Sequence, residues 1–594
     1  MKKFFAFTLC IAALAAFAGC DDDAFLTEHP KYFYSLDNSF KTRARFEAAL
    51  VTCYSMVRSM QVMSGDANTC FVYRGGNGTD MYDVASIRHN LQFNDYSLLS
   101  PERQEFRDIF SSWYSLISSA NLVLYGMKDP DMVWDSEEDK AYVAAQARFF
   151  RAWAYRNLGE EFGGVPIVTD FCGEARYDFA RTTRLETYQF AIDELEAILP
   201  DLPETTLERG RIVRGAAQHT LCQLYVDKGI VLDSEGRTDE AKAAWRAGIK
   251  HASALIDGGI YSLMKERFGT RKDADPVFYY ANCEEDKTPA HTYGSAGVKI
   301  EGNVFWDLFQ PGNQAWQDGN AESIWIVRTE LDAHLEKDAE SRLPYSRVFG
   351  PVFRDPQAGI LDGLMEDVGG RGVCYVMPTE YARDLVYKDR FADDMRNSEA
   401  VLRRTFIGNV PGSRYYGKVI PWSVIYKDGG SVSAVQAAYS QCYPISCKIS
   451  SDVYADDASG GNKSNLFRDD YVIRLAETYL LRAEAYFRLG DSNSCSKDLN
   501  AIRSRSRCGY LIRPADITIE TILDERAREL LYEEIRWNTL LRMGGTVAVD
   551  RIREYSYWEY PRTGTMKNFN LWPIPQSVID TNKDVVIEQN DGWN

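Results

Sequence analysis

Apolar residues return at spacings of three and four through most of the first half of the chain, as they do in helices that bury one face. Phe106, Ile109, Phe110, Trp113, Tyr114, Ile117, Ala120, Asn121 and Val123 mark one such stripe over 106–125. Val143, Ala147, Phe150, Ala154 and Leu158 mark the next over 141–158. Phe162-Gly-Gly-Val-Pro166 stops it, because Pro166 lacks the amide hydrogen a helix needs and the glycines permit a turn. The same period predicts helices over 187–199, 216–226 and 240–256. Small residues, among them Ala120, Ala147, Ala154 and Ala217, sit where two helices must approach closely.

Between 260 and 465 the period is lost. Glycines cluster at 363–372, 408–417, 429–430 and 460–461, Trp and Tyr alternate with polar residues, and 323–328 reads as a short strand. A stretch this long exceeds any ordinary loop, so it reads as an ordered, irregular insertion. Helices return at Tyr471, where Val472, Leu475, Ala476, Tyr479, Leu480, Ala483 and Phe487 share one face. Gly490 and Asp491 end that helix, 494–505 runs back, and 519–543 reads as one further amphipathic segment. Two prolines keep Leu571-Trp-Pro-Ile-Pro575 extended. Antiparallel helix pairs with Ala and Tyr facing inward are similar to tetratricopeptide hairpins, although the strict repeat signature is absent. The expected fold is therefore mostly α: tetratricopeptide-like hairpins form a frame, and a long loop-rich insertion carries a few short strands. The expected divisions are 1–19, 20–39, 40–259, 260–465 and 466–594.

Composition narrows the function classes. With 68 Lys plus Arg against 86 Asp plus Glu, the 594-residue chain carries a formal charge of −18, which argues against nucleic acid as a partner. The aromatic share is 13%, with 35 Tyr, 29 Phe and 12 Trp, more rings than a core of this size needs, so some should serve a surface. Lys2 and Lys3 precede an apolar run, Phe4 to Ala18, shorter than the roughly 20 residues of a spanning helix. It ends in Phe17-Ala18-Gly19-Cys20, which resembles the lipobox of bacterial lipoproteins; that resemblance implies cleavage before Cys20, acylation of its thiol and a membrane anchor. Asp21, Asp22 and Asp23 resemble the acidic export signal of surface-exposed lipoproteins, or form a solvated linker. Of the 12 cysteines none forms a CxxC pair, so no zinc ribbon or thioredoxin-type motif is encoded. Apart from Cys10 in the apolar run and Cys20, the ten from Cys53 to Cys508 read as buried free thiols, although an exported chain would permit disulfides.

The segment Tyr471-Val-Ile-Arg-Leu-Ala-Glu-Thr-Tyr-Leu-Leu-Arg-Ala-Glu-Ala485 resembles the signature helix of the SusD/RagB family. Asp524-Glu-Arg-Ala-Arg-Glu529, Glu534-Ile-Arg-Trp537 leading to Leu541-Arg-Met-Gly544, and Trp572-Pro-Ile-Pro575 follow in the family's order. Upstream, Ala147-Arg-Phe-Phe-Arg-Ala-Trp153 with Phe162-Gly-Gly-Val-Pro166 resembles its N-terminal hairpin, and Lys388-Asp389-Arg390 a short mid-chain element. The resemblance implies a non-catalytic outer-membrane lipoprotein, exposed at the cell surface of a Gram-negative bacterium. Such a protein captures an oligosaccharide, or in some members a peptide, and delivers it to a SusC-like TonB-dependent transporter. The charged residues of these motifs read as an ion network within the fold, because charges three or four apart on a helix gain only tenths of a kcal/mol each.

Other chemistry finds little support. The six histidines, His29, His89, His219, His251, His291 and His334, form no HExxH or HxH pair. Gly412-Ser-Arg-Tyr-Tyr-Gly417-Lys418 begins like a P-loop, but Val419 stands where a hydroxyl must hold magnesium and Pro421 opposes the helix. Asp452, Asp456, Asp457 and Asn462 lack EF-hand spacing and read as a solvated acidic loop. No cofactor or metal is expected. A carboxylate pair of a glycoside hydrolase on a helical frame stays open as the enzymatic alternative, since nothing singles such a pair out among 86 acidic residues.

Sugar recognition needs flat rings for apolar C–H faces and forked polar groups for hydroxyls. Two segments outside the regular helices carry both. Tyr73, Arg74, Asp80, Tyr82 and Asn90 lie on a Gly-rich stretch, and Tyr293, Trp306 and Trp316 lie in the middle of the chain. Trp316 and Tyr82 rank first, then Trp306. The alternative for each ring is core packing, most strongly for Trp306, which follows Val304-Phe305.

Overall fold

Antiparallel helices build the frame that the apolar spacing predicted. The computed structural model describes residues 40–62, 76–83, 93, 96–278, 298–336, 341–351, 372, 374–406, 443–450, 465–556 and 570–593. Among the described residues, six helices open the frame: α1 (Arg43–Val62), α2 (Gln104–Gly126), α3 (Glu137–Glu161), α4 (Arg184–Ile198), α5 (Arg214–Ser234) and α6 (Thr238–Ile256), each packed on its successor. Local chemistry fixes their ends. Ser136 caps α3 by accepting from the Asp139 amide, and Glu137, Glu138 and Asp139 put negative charge on the first turn, where the helix dipole is positive. Thr183 and Glu186 form a reciprocal capping box on α4. After α3, Gly163 takes φ +77° and turns the chain into Pro166. Helices α5 and α6 approach closely at Gly229, where an added Cβ would lie 2.2 Å from the Trp245 indole nitrogen.

The strands are short: β1 (Tyr82–Asp83), β2 (Val277–Phe278), β3 (Val298–Lys299), β4 (Ser323–Val327), β5 (Met377–Pro378), β6 (Leu402–Arg403), β7 (Ile445–Ser446) and β8 (Asp470–Arg474). They pair antiparallel as β1 with β5, β2 with β3, β4 with β8 and β6 with β7. The pairing of β4 with β8 sets Ser323 opposite Arg474 and Val327 opposite Asp470, so the middle of the chain is stitched into the C-terminal part. It also corrects the expectation that a helix begins at Tyr471. Tyr471, Val472 and Ile473 extend β8, and α7 (Leu475–Arg488) starts only after Arg474.

The helices that follow are α8 (Ser492–Arg505), α9 (Ile519–Leu530), α10 (Arg536–Met543), α11 (Val547–Tyr555) and α12 (Gln576–Thr581). The single helix expected over 519–543 is thus two. Tyr532 takes φ +65°, and its amide donates to the Tyr82 hydroxyl at 2.6 Å instead of to a helix carbonyl. The extended segment at 571–575 closes the core. The Trp572 amide donates to the Glu161 carbonyl at 2.7 Å, and its ring centroid lies 4.9 Å from that of Trp537 and 5.3 Å from that of Phe106.

Candidate functional site

The charged residues of the C-terminal motifs form a buried lattice. Glu529 accepts from Arg396 at 2.9 Å, from Arg474 at 2.7 Å and from Arg505. Glu525 accepts from Arg396 at 2.7 Å, Arg503 at 2.9 Å and Arg528 at 3.0 Å. Glu533 joins Arg474 to Lys448, and Glu484 holds Arg542 and Arg488. Most of these side chains are shielded from solvent, Arg488 and Glu533 less completely, so the lattice chiefly organises the interior.

Asp80 belongs to this interior. It receives Arg536 at 2.8 and 2.6 Å and Arg551 at 2.7 Å. Burial alone would raise its carboxyl, but the two guanidiniums outweigh burial and hold it at about 2. Tyr82 is 1% exposed, with its ring against Phe349 and Tyr532 and its hydroxyl on the Tyr532 amide. Trp306 is 6% exposed, packed among Phe305, Phe309 and Val401, with Arg267 and Arg271 5.5 and 5.9 Å from its ring. Asp80, Tyr82 and Trp306 are therefore core residues, which corrects the expectation that they bind ligand. Tyr73, Arg74, Asn90 and Tyr293 lie outside the described residues, as do Cys20, Asp21 to Asp23, and the acidic loop from Asp452 to Asn462.

Trp316 is different. It opens a single turn, Trp316–Asp318, and 37% of it is exposed. The turn is rigidly built. Gly319 ends it in the left-handed region at φ +85°, donating to the Trp316 carbonyl at 3.0 Å. Below it, Asn320 donates to the Asn313 carbonyl at 2.9 Å, and Asn313 accepts from the Thr270 amide at 2.9 Å. The indole N–H points to the Ile260 carbonyl at 3.5 Å. The loop between α4 and α5 completes a shallow depression. Gln317 donates to the Thr206 carbonyl at 2.8 Å, Arg209 binds Asp318 at 2.5 Å, and Arg211 binds Glu208 at 2.7 Å. Thr205, Glu208, Arg211, Gln317 and Tyr261 line the depression with Trp316. The result is a ring with an accessible face beside a guanidinium, a carboxylate and an amide, the pairing that sugar recognition requires. The sequence reading missed Thr205, Glu208 and Arg211; the polar run after Pro203 that interrupts the helical period was their only signal.

Among the described residues, no cluster of three or more His, Cys, Asp and Glu side chains is placed to hold a metal ion. Among the same residues, no helix is long and apolar enough to cross a membrane. The described cysteines are free; Cys53, Cys222, Cys374, Cys447, Cys495 and Cys508 are buried, and Cys172 is exposed.

Comparison with known proteins places this fold. Residues 321–593 match the model of the SusD family, and residues 35–226 match a second SusD-type model described as starch-binding and associating with the outer membrane. The starch-binding protein SusD of Bacteroides thetaiotaomicron is 33% identical over 460 residues, covering 76% of this chain and 72% of that protein. The SusD-like protein P25 of Formosa agariphila is 22% identical over 604 residues, covering 96% of each chain. A solved SusD homolog from Bacteroides thetaiotaomicron superposes with a TM-score of 0.66 at 16% identity, covering 94% of this chain and 98% of that one. A laminarin binding SusD-like protein superposes with a TM-score of 0.58 at 19% identity, covering 93% of this chain and all of the other. The chain belongs to the SusD family.

Proposed function

We propose that the chain is a non-catalytic, surface-exposed lipoprotein of the outer membrane that captures oligosaccharides and passes them to a SusC-like TonB-dependent transporter. The observation that carries the capture step is Trp316, a partly exposed indole on a braced turn beside Glu208, Arg211 and Gln317. Family membership and a relative named for binding starch support a glycan as the ligand. The lipobox-like ending at Cys20 supports the anchor, and the acidic run after it supports surface export.

Two experiments test this reading. The immobilised full chain should retain oligosaccharides from a mixed pool and return them at unchanged length; shortened products would mean an enzyme, and no retention would remove the capture role. In cells, Cys20→Ala should move the protein from the membrane to the soluble fraction, because each buried CH₂ of an acyl chain contributes about 0.8 kcal/mol and the variant carries none. The wild type, purified from mildly solubilised outer membranes, should bring a large β-barrel with it. Membrane fractionation that ignores the substitution, or reproducible absence of a barrel, would overturn the anchor or the hand-over respectively.

A further inference from the structure

A second concave site lies away from the Trp316 shelf. It is a groove of about 450 Å³, within the usual range for small-molecule pockets. One wall is the outer face of α2, from Arg107 to Asn121, a run of about 21 Å at 1.5 Å per residue. The second is the segment from Pro166 to Phe179, and the third is α12 together with Ile587. The surface is chiefly apolar. Phe110 and Tyr114 stack with centroids 4.8 Å apart, and Ile117, Val168, Val578 and Ile587 continue the lining.

The larger polar groups deep in this lining are used within the protein, while Ser111 and Ser118 stay exposed along α2. The Tyr114 hydroxyl donates to the Pro166 carbonyl at 2.6 Å. Asn121 donates to the Val168 carbonyl at 2.9 Å and accepts from Arg151 at 2.8 Å. Asn582 donates to the Phe179 carbonyl and accepts from the Phe179 amide, both at 2.9 Å. The exposed wall is chiefly carbon, so a glycan laid along it would give up water for its hydroxyls with few partners in return. Such a wall suits a long apolar body.

Charge marks one end. Around the rim, Arg176 is engaged by both oxygens of Asp178, and Lys128 meets Asp170 at 3.3 Å. Arg107 is the exception: it is solvent-exposed, and its ion pair with Asp108, at 3.6 Å from Nε, is too long for a hydrogen bond. Its guanidinium fork is open to an anion at the α2 N-terminal end of the groove. An elongated apolar trough with one open cation at its end has the chemistry of a single-chain carboxylate. Its volume is that of a small-molecule site. We propose that this groove binds one free fatty acid of about twelve carbons or more, with the carboxylate on Arg107 and the tail running along α2 towards Asn121.

The test is a calorimetric titration of the full mature chain carrying Cys20→Ala, so that it brings no acyl chain of its own. The probe is dodecanoate below its micellar range. One equivalent should bind saturably. Arg107→Glu should weaken binding by about tenfold or more, the scale of a charge-assisted hydrogen bond, while Arg107→Lys keeps most of it. Ser118→Trp, which fills the groove from an exposed position on α2, should abolish binding. Dodecanol, with a similar tail and no charge, should bind at least about tenfold more weakly than dodecanoate, and equally to the wild type and Arg107→Glu. Thermal melts of each variant report the fold, and if Ser118→Trp fails to fold, the Arg107 pair decides alone. Absence of saturable one-to-one binding at millimolar dodecanoate overturns the proposal. An unchanged affinity in Arg107→Glu overturns the carboxylate placement, and an unchanged affinity in a folded Ser118→Trp overturns the tail placement.

Discussion

Glu525→Ala should destabilise the chain by about 3–5 kcal/mol, the usual cost of breaking a buried ion pair from one side. The substitution leaves Arg396, Arg503 and Arg528, all buried, without the carboxylate that now sits 2.7, 2.9 and 3.0 Å from them. A shift of the denaturant midpoint measures the loss. Asp516→Ala, which removes the partner of exposed Arg513, should leave the midpoint nearly unchanged. The lattice also sets an acid limit. Burial raises the carboxyls of Asp80, Glu484 and Glu529, but facing guanidiniums outweigh burial and hold each at about 2. A carboxyl depressed by folding stabilises the fold fully above its unfolded value, near 4, and that contribution is lost as pH falls towards the folded value. Stability should therefore fall steeply from about pH 4.5 to pH 2, and less steeply in Glu525→Ala, which has one such carboxyl fewer. Equal slopes in the two proteins would show that Glu525 is not held in its charged form.

Trp316→Ala should weaken glycan binding by about 2 kcal/mol, or roughly thirtyfold in Kd, as for a central aromatic contact. It should change the melting temperature far less than a core substitution, because more than a third of the residue is exposed and the turn beneath is held by Asn313 and Asn320. Tyr82→Ala should do the opposite. Removing a ring packed against Phe349 and Tyr532 should cost about 3–5 kcal/mol of stability, on the scale of other large-to-small core substitutions. Affinity titration and thermal melts of both variants separate the roles. A Trp316→Ala protein that binds glycan as well as the wild type would remove the shelf from the capture site.

Those two residues also show what the sequence could reveal. Both are aromatic residues in polar, irregular surroundings, and local pattern ranks them alike. Tyr82 is buried by Tyr532 and Phe349, hundreds of positions away, and no window of sequence contains that information. The α2 to α6 frame was legible because its period of three and four is written locally. Tyr471 to Ile473 was misread because an apolar run fits the face of a strand and the first turn of a helix equally; its pairing with Ser323–Val327 decides between them. The break at Tyr532 was invisible for a similar reason, since the amide is drawn away by a distant hydroxyl. The family motifs identified the fold through residues that bury charge, and so marked the architecture without marking a surface. The Trp316 shelf needed the loop before α5, which neither periodicity nor composition brings near position 316.

The pairing of Asp80 with Arg536 and Arg551 has a consequence in time. The partners stand 456 and 471 positions apart, so a chain emerging N-terminus first carries Asp80 without its counter-charges until the helices from Arg536 onward have followed. Tyr82 and Asn77 wait likewise, for the Tyr532 amide and the Trp537 indole, 450 and 460 positions away. The entropy of closing such loops must be met before the contacts reward it, so this interior assembles late and as a unit. The N-terminal hairpins can form as they appear, but the centre cannot set while the C-terminus is missing. A chain cut short before Arg536 is therefore an unfinished protein, open at its middle, and not a smaller version of the same one.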